Sequence, residues 1–274
     1  MEYRDITLGV RVPMLGIGTW GMGGYESPNN SADDEAVKAI RTALDLGMTH
    51  IDTAEYYGAG HAEELVGRAI RGWDRDDLFI TTKVWPSHLR KDQVPASLDM
   101  SLKRMGLKRV DLFLVHWPNS EVPLAETMGA MESCIDSGKT RFIGVSNFDS
   151  QLMREAEVHL REARLVANQV EYSLAQQGPR KELLATCRKM GICLVAYKPL
   201  GRGSLLREAN PVLDEIAEAH GVTRVQVALN WLVSQEGVVA IPKSSNPDHL
   251  KEIAGSVGWR LTASEFKRLS NAYA

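Results

Sequence analysis

The sequence predicts an α/β fold, specifically a (β/α)8 TIM barrel, and three observations favour it. Short β-branched runs alternate with amphipathic stretches, which is typical of a parallel sheet with helices between its strands. The length of 274 residues suits one such barrel, whose usual size is about 250 residues. Polar residues end several apolar runs, and barrel enzymes carry their chemistry at strand ends. We therefore expect one domain over residues 1–274.

The first predicted element is an N-terminal β-hairpin over residues 5–13, because the residues there alternate around a glycine. Such a hairpin could plug the amino-terminal mouth of the barrel. Eight strands are predicted after it, with helical patterns between them. They lie near Leu15, Thr49, Leu78, Val110, Phe142, Val166, Cys193 and Val238.

Three segments carry signals of a helix start. Asp33-Asp34-Glu35 precede an apolar pair, and Ser150 precedes Gln151-Leu152. Thr262 stands three residues before Glu265, which is the spacing of a capping box. The last signal predicts an additional C-terminal helix.

Charge and composition favour a small-molecule partner. The chain has 32 basic and 35 acidic residues, a formal net charge of -3, and no basic block that would attract nucleic acid or an anionic membrane. No apolar run approaches the roughly 20 residues that span a bilayer, and residues 1–5 do not resemble a secretory signal. We expect a cytoplasmic protein that is a monomer or a weak oligomer.

The three cysteines, Cys134, Cys187 and Cys193, contain no CxxC pair. A disulfide framework or a zinc site is therefore not expected, and no metal is predicted. Buried free thiols are the preferred interpretation.

Four polar residues form the strongest functional signal. Asp52, Tyr57, Lys83 and His116 each lie at or just beyond the end of an apolar run. In a closed parallel barrel, these groups would meet in one pocket at the carboxyl ends of the strands. Each alone has a structural explanation, such as a buried ion pair or a core histidine, but their joint placement favours catalysis.

The residues around these four resemble the aldo-keto reductases, in a match from about Leu8 to Glu252. The resemblance is carried by Ile51-Asp52-Thr53-Ala54-Glu55-Tyr56-Tyr57-Gly58, Thr82-Lys83, Leu114-Val115-His116-Trp117-Pro118, Gly144-Val145-Ser146-Asn147-Phe148 and Ile241-Pro242-Lys243-Ser244. It implies NAD(P)H-dependent reduction of a carbonyl, in which a hydride reaches the carbon and a proton reaches the oxygen.

The resemblance also implies a role for each of the four residues. Tyr57 would donate the proton, and the Lys83 ammonium would lower the tyrosine pKa from its usual value near 10. Asp52 would pair with Lys83. His116 would donate a hydrogen bond to the carbonyl oxygen, which orients the substrate and stabilises developing negative charge.

The cofactor site implied by the resemblance lies across the barrel mouth, because no GxGxxG fingerprint follows a strand. Ser146, Asn147 and Gln169 would bind the nicotinamide carboxamide, and Tyr197 would stack on its ring. Lys243-Ser244 would meet an adenosine 2′-phosphate, which favours NADPH. The residues expected at the cofactor are Gly18, Thr19, Trp20, Asp52, Ser146, Asn147, Gln169, Tyr197, Lys198, Pro199, Leu200, Gly201, Lys243, Ser244, Ser245, His249 and Glu252.

Three positions depart from the family pattern. His249 stands where an arginine is frequent and Ile253 where an adenine-contacting asparagine is frequent, so NADH use stays open. Lys198 replaces a common serine, and it either adds a phosphate contact or is simply solvated.

Four aromatic residues are predicted to line the substrate pocket: Trp20, Tyr56, Trp85 and Trp117. The segment after His116, residues 117–123, is short. Since loops at this face set specificity, we expect an open and permissive pocket.

Three other readings stay open. Lys83 could form the Schiff base of an aldolase, and His50-x-Asp52 with His116 could hold the metal of a hydrolase. Both leave Tyr57 and Lys243 without a role. The third is a regulatory or sensor protein that binds the cofactor and turns over slowly.

Overall fold

A closed barrel of eight parallel strands forms the centre of the protein, in a computed structural model that describes residues 1–7 and 9–273. Leu8, where the family resemblance begins, and Ala274 lie outside the described residues. The strands follow one another around the sheet in chain order. The ring closes between first and last strands, where Gly16 N–H donates to Ala240 O and Ala240 N–H donates to Met14 O, both at 2.9 Å. The predicted (β/α)8 barrel is confirmed.

Ten strands are present in the described chain. The hairpin consists of β1 and β2, and the barrel of β3 to β10. Their bounds are β1 Tyr3–Thr7, β2 Val10–Pro13, β3 Ile17–Gly18, β4 His50–Asp52, β5 Phe79–Val84, β6 Val110–Val115, β7 Thr140–Ser146, β8 Leu165–Glu171, β9 Cys193–Tyr197 and β10 Val238–Ala240. Each predicted barrel strand lies within or beside one of these.

The helices cover the outside of the barrel. They are α1 Asp33–Asp45, α2 His61–Ala69, α3 Gln93–Met105, α4 Leu124–Asp136, α5 Ser150–Val158, α6 Gly178–Lys181, α7 Leu183–Met190, α8 Ser204–Arg207, α9 Pro211–His220, α10 Arg224–Val233, α11 Pro247–Ala254 and α12 Ala263–Ala272. The connection from β9 to β10 contains three helices, α8, α9 and α10. The sequence signals did not distinguish these three helices from one another.

Two of the predicted helix starts are confirmed and one is shifted. Helix α1 begins with the acidic run at Asp33, and α12 has the full capping box between Thr262 and Glu265. Ser150 is the first residue of α5 but does not cap it. Asp149 is the cap, because its carboxylate accepts from the N–H groups of Gln151 and Leu152.

The hairpin plugs the amino-terminal end of the barrel, as predicted. Ile6 and Val12 are buried in the same cluster as the inward-facing residues Leu112, Val195 and Val239. Strand residues that face outward, such as Phe113 and Val115 on β6, belong instead to the larger core beneath the helices. Because alternate residues point to opposite faces of a strand, this pattern separates the two cores. The hairpin therefore covers the amino-terminal end of the barrel.

Three buried cysteines are free thiols, and burial raises the pKa of each to about 12. Within residues 1–7 and 9–273, no helix has the length and apolar character needed to cross a bilayer.

Candidate active site

A pocket of about 550 Å³ opens at the carboxyl ends of the strands. Several strands place polar side chains around it: Asp52 ends β4, Ser146 ends β7 and Gln169 lies in β8. His116 directly follows β6 and also lines the pocket. The closed barrel thus brings together residues that are far apart in sequence.

Lys83 lies at the base of this pocket and is completely buried. Its Nζ donates to Asp52 Oδ1 at 2.6 Å, to Thr53 O at 2.8 Å and to the Tyr57 hydroxyl at 3.1 Å. The other oxygen of Asp52 accepts from Gln169 Nε2 at 2.7 Å. All three N–H groups of the lysine therefore donate hydrogen bonds. The Asp52 carboxylate, which balances the lysine charge, is also held by Gln169.

Tyr57 is positioned by an unusual backbone segment. Gly58, Ala59 and Gly60 have positive φ values of 58°, 51° and 95°. Gly58 also passes close to Gly23, since a Cβ there would lie 2.4 Å from Gly23 O. This left-handed run lets the chain turn sharply from the strand end into α2, and only a glycine fits at position 58.

The direction of the Tyr57 pKa differs from the expectation. The Lys83 ammonium does favour the phenolate, but burial of the whole side chain outweighs it and raises the tyrosine pKa. The expectation of a net lowering was wrong because the depth of the hydroxyl in the barrel is a tertiary property. Tyr57 therefore keeps its proton at neutral pH.

Lys83 stays charged in the same environment. Burial alone would lower its pKa, but Asp52 and Tyr57 together raise it above its ordinary value. A Schiff base requires a neutral amine as nucleophile. The geometry therefore disfavours the aldolase reading.

His116 has a fixed main chain and a neutral ring. Its N–H donates to Val84 O and its carbonyl accepts from Asn147 Nδ2, both at 3.0 Å. Burial, assisted by the Lys83 ammonium, lowers the imidazole pKa to about 2. In the described chain its buried Nδ1 has no partner. A neutral imidazole facing the pocket offers one N–H to a ligand.

His50, the other histidine of the metal reading, is engaged deeper in the barrel. Its Nε2 contacts Thr81 Oγ1 at 3.1 Å, and burial lowers its pKa to about 4. Across the described ranges, no three His, Cys, Asp or Glu side chains come together as a metal site would require.

The amide groups beside the pocket form one connected network. Asn147 Nδ2 also donates to Ser146 Oγ at 3.0 Å, and Asn147 Oδ1 accepts from the Tyr197 hydroxyl at 2.8 Å. Ser146 Oγ donates to Gln169 O at 2.8 Å. The Tyr197 ring lines the pocket beside this network. These residues hold one another in place, so the pocket wall here is preorganised.

Lys198 is neither free nor simply solvated. Its Nζ donates to Glu171 Oε2 at 2.8 Å, and the two side chains are 27% and 37% exposed. Lys198 lines the pocket, as do Pro199, Leu200 and Arg202 after it. The ion pair with Glu171 was not anticipated, because it joins the ends of two strands.

The far end of the pocket is formed after β10. Lys243, Ser244, His249, Glu252 and Ile253 line it. Burial lowers the pKa of Lys243, and no carboxylate lies within ion-pair distance of it in the part of the chain that is described. An unpaired, partly desolvated ammonium is a ready contact for an anion.

Aromatic rings form the outer wall next to Tyr57. The Tyr56 ring stacks on Trp85 at 3.7 Å between centroids and lies parallel to Trp20 at 6.1 Å. Trp20 and Trp117 are 41% and 44% exposed at the mouth. All four of these aromatic residues line the pocket at the carboxyl ends of the strands.

Most but not all of the predicted site residues reach the pocket surface. Four do not line it: Thr19, Lys83, Gly201 and Ser245. Sequence reasoning missed six that do: Arg202, Gly203, Leu206, Val225, Ile241 and Pro242. The two glycines around Arg202 were the sequence signal for the first two, because paired glycines indicate a sharp turn. In the structure, Arg202 has a φ of 54° and both glycines also have positive φ.

Comparison with known proteins places this geometry in a family. The model described as Aldo/keto reductase family matches residues 14–274. Methylglyoxal reductase YeaE of Escherichia coli (strain K12) is 37% identical over 267 residues, which cover 96% of this chain and 92% of that protein.

Solved structures are similar over the same extent. A thermostable aldo-keto reductase in complex with the inhibitor epalrestat is 45% identical, with a TM-score of 0.94 and coverage of 99% of this chain and 100% of that one. An aldo/keto reductase from Klebsiella pneumoniae in complex with NADP and acetate is 35% identical, with a TM-score of 0.91 and coverage of 99% and 95%. The likeness therefore includes every element that forms the pocket.

Proposed function

This chain belongs to the aldo/keto reductase family, and on that premise we propose that it reduces aldehydes and ketones to alcohols with NADPH as the preferred cofactor. The observation that carries the proposal is the contact of the Tyr57 hydroxyl with Lys83 Nζ at 3.1 Å, in a pocket shared with His116. A small carbonyl compound is the proposed partner.

The residues present fit a nicotinamide dinucleotide. The preorganised amides of Asn147 and Gln169 suit a carboxamide, and Tyr197 supplies a flat ring beside them. Lys243, unpaired among the described residues, suits a phosphate at the other end. When bound, the reduced nicotinamide supplies the hydride that the carbonyl carbon receives. The relatives crystallised with NADP support this assignment.

Tyr57 holds the proton that the substrate oxygen needs. Burial raises its pKa, so the hydroxyl is protonated at neutral pH before the reaction. As negative charge develops on the substrate oxygen, Tyr57 gives up its proton, and the Lys83 ammonium at 3.1 Å stabilises the phenolate that is left. Burial therefore keeps the proton on Tyr57 before the reaction, and Lys83 stabilises the phenolate when the proton is transferred.

Asp52 and Gln169 fix the position of Lys83. The carboxylate accepts from both side chains, at 2.6 and 2.7 Å, so the ammonium cannot turn away from Tyr57. Asp52 is a positioning residue in this proposal, since it affects the transferred proton through Lys83.

His116 orients the carbonyl group. Because its pKa of about 2 keeps the ring neutral, it acts as a hydrogen-bond donor and not as a competing acid. A donor and an acid that converge on one oxygen fix the carbonyl face that is presented to the cofactor.

The aromatic wall defines the substrate side. Tyr56, Trp85 and the exposed Trp20 and Trp117 present flat apolar surface near Tyr57. The connection from His116 to α4 at Leu124 is short, so little chain covers the mouth. These features support a broad range of uncharged carbonyl substrates.

The test is the loss of nicotinamide absorbance with an aromatic aldehyde or a 1,2-dicarbonyl, with NADPH and NADH in parallel. We expect turnover with NADPH and a fall of at least about 100-fold in kcat in Tyr57→Phe, which keeps the ring but cannot donate a proton. Circular dichroism and NADPH binding should match the unsubstituted protein.

Full turnover by a folded Tyr57→Phe variant would refute the assigned role. If neither cofactor supports turnover while NADPH still quenches tryptophan fluorescence, the chain is a cofactor-binding sensor instead. Equal rates with both cofactors would mean that His249 and Ile253, which depart from the family pattern, have removed the NADPH preference.

A further inference from the structure

The Lys198–Glu171 ion pair stands on the path that the proposed cofactor must take. In the proposed function, the amides of Asn147, directly after β7, and Gln169 in β8 would hold its nicotinamide end, and Lys243 after β10 would hold its adenosine end. Strand β9 lies between β8 and β10 in the sheet, and Lys198 directly follows β9. The diphosphate that joins the two halves of a dinucleotide would therefore cross the pocket beside Lys198.

Among the described residues, Lys198, Arg202 and Lys243 are the Lys and Arg side chains that line the pocket, and they differ in their partners. In the described chain neither Arg202 nor Lys243 has a carboxylate within ion-pair distance, whereas Lys198 is paired with Glu171 at 2.8 Å. The positive field that a diphosphate would meet is therefore reduced at Lys198.

The pair can exchange partners at little cost. Both side chains are partly exposed, at 27% and 37%, so Glu171 returns to water when Lys198 leaves it. Glu171 is the last residue of β8 and does not itself line the pocket. Exposed ion pairs contribute about 1 kcal/mol or less, which a diphosphate with two charges can exceed.

We propose that Glu171 is an internal competitor for Lys198, and that it limits the affinity for the dinucleotide by holding this lysine until the diphosphate displaces it. The inference rests on the proposed function, because it requires a dinucleotide in the pocket. It assigns Glu171 as a residue that sets cofactor affinity through Lys198 and without contacting the cofactor. Weaker binding favours faster release of the oxidised cofactor.

The test measures binding, not turnover. NADP⁺ and NADPH are titrated into the protein and the dissociation constants are read from tryptophan fluorescence or calorimetry, with release rates from stopped flow. Glu171→Gln keeps the shape of the side chain but frees Lys198. We expect about five-fold tighter binding, which corresponds to about 1 kcal/mol, and slower release. Lys198→Met is expected to weaken binding.

Two comparisons separate this mechanism from a general charge effect. Glu162→Gln removes the same charge from an exposed position in the connection that enters β8, at the opposite end of the barrel, and should leave the dissociation constant unchanged. In a Lys198→Met background, Glu171→Gln should leave the dissociation constant unchanged, because residue 198 then carries no charge with which Glu171 could pair.

An unchanged or weaker affinity for the dinucleotide in Glu171→Gln would overturn the inference. Weaker affinity would mean that Glu171 holds Lys198 in a position that helps binding. Equal tightening in the presence and absence of Lys198 would also overturn it. Absence of any dinucleotide binding to the unsubstituted protein is a different result, since it would remove the proposed function itself.

Discussion

Replacement of Lys83 by methionine should destabilise the protein far more than loss of a surface lysine. The side chain is completely buried, and its removal leaves the Asp52 carboxylate, also buried, with Gln169 as its remaining side-chain partner. The hydroxyl of Tyr57 and the carbonyl of Thr53 lose a charged donor at 3.1 and 2.8 Å. A buried carboxylate without its counter-ion is the main cost.

The expected loss in the free energy of unfolding is about 3–5 kcal/mol for Lys83→Met, the usual range for breaking a buried ion pair from one side. Lys139→Met is the matched control. Lys139 pairs with Asp99 at 2.7 Å, but the two side chains are 32% and 53% exposed, so its loss should cost less than about 1 kcal/mol. The combination of Lys83→Met with Asp52→Asn should recover about 2 kcal/mol, because no unpaired charge is then buried.

Urea unfolding, followed by tryptophan fluorescence and circular dichroism, measures these differences through the midpoint and the m-value. The reasoning fails if Lys83→Met and Lys139→Met cost the same. It also fails if the double variant is no more stable than Lys83→Met alone, since the cost would then come from lost packing and not from an uncompensated charge.

Three further changes have defined outcomes. With saturating NADPH, kcat should fall as the pH rises through the raised pKa of Tyr57 and stay flat from pH 5 to 8, because His116, with a pKa of about 2, is neutral throughout; a pH profile of kcat checks both. Ala59→Gly should raise the free energy of unfolding by about 0.5–1 kcal/mol, because Ala59 has a φ of 51°, whereas Ala62→Gly in α2 should lower it by about 1 kcal/mol; thermal melts distinguish the signs. Lys243→Met should raise the KM for NADPH about ten-fold and the KM for NADH less, which steady-state kinetics measures.

The strands of this fold and its first and last helices were predictable because each has a local signal. β-Branched runs mark the strands, and Thr262 with Glu265 marks the last helix. Asp149 was passed over as the cap of α5 because Ser150 beside it is an equally good capping residue in sequence terms. The residue types of two adjacent capping candidates do not determine which of them has the backbone geometry of the cap.

The catalytic candidates were predictable for a different reason. Parallel strands end at one edge of the sheet, so residues at strand ends such as Asp52 and His116 meet whatever lies between them in sequence. The depth of Tyr57 and the pairing of Lys198 with Glu171 depend instead on how far side chains reach across the mouth. Leu206 and Val225 line the pocket because the chain after β9 folds back over it, and no local sequence pattern specifies that path.

The bridge between Leu15 and Ala240 closes the barrel with residues from opposite ends of the sequence. During synthesis, the first barrel strand has β4 as a neighbour long before β10 leaves the ribosome. The growing chain therefore carries an open strand edge for most of its translation, and such edges pair readily with other chains. A message truncated before the codon for Ala240 would yield a product prone to aggregation, and the last step of ring closure would come only after nearly the whole chain has been made.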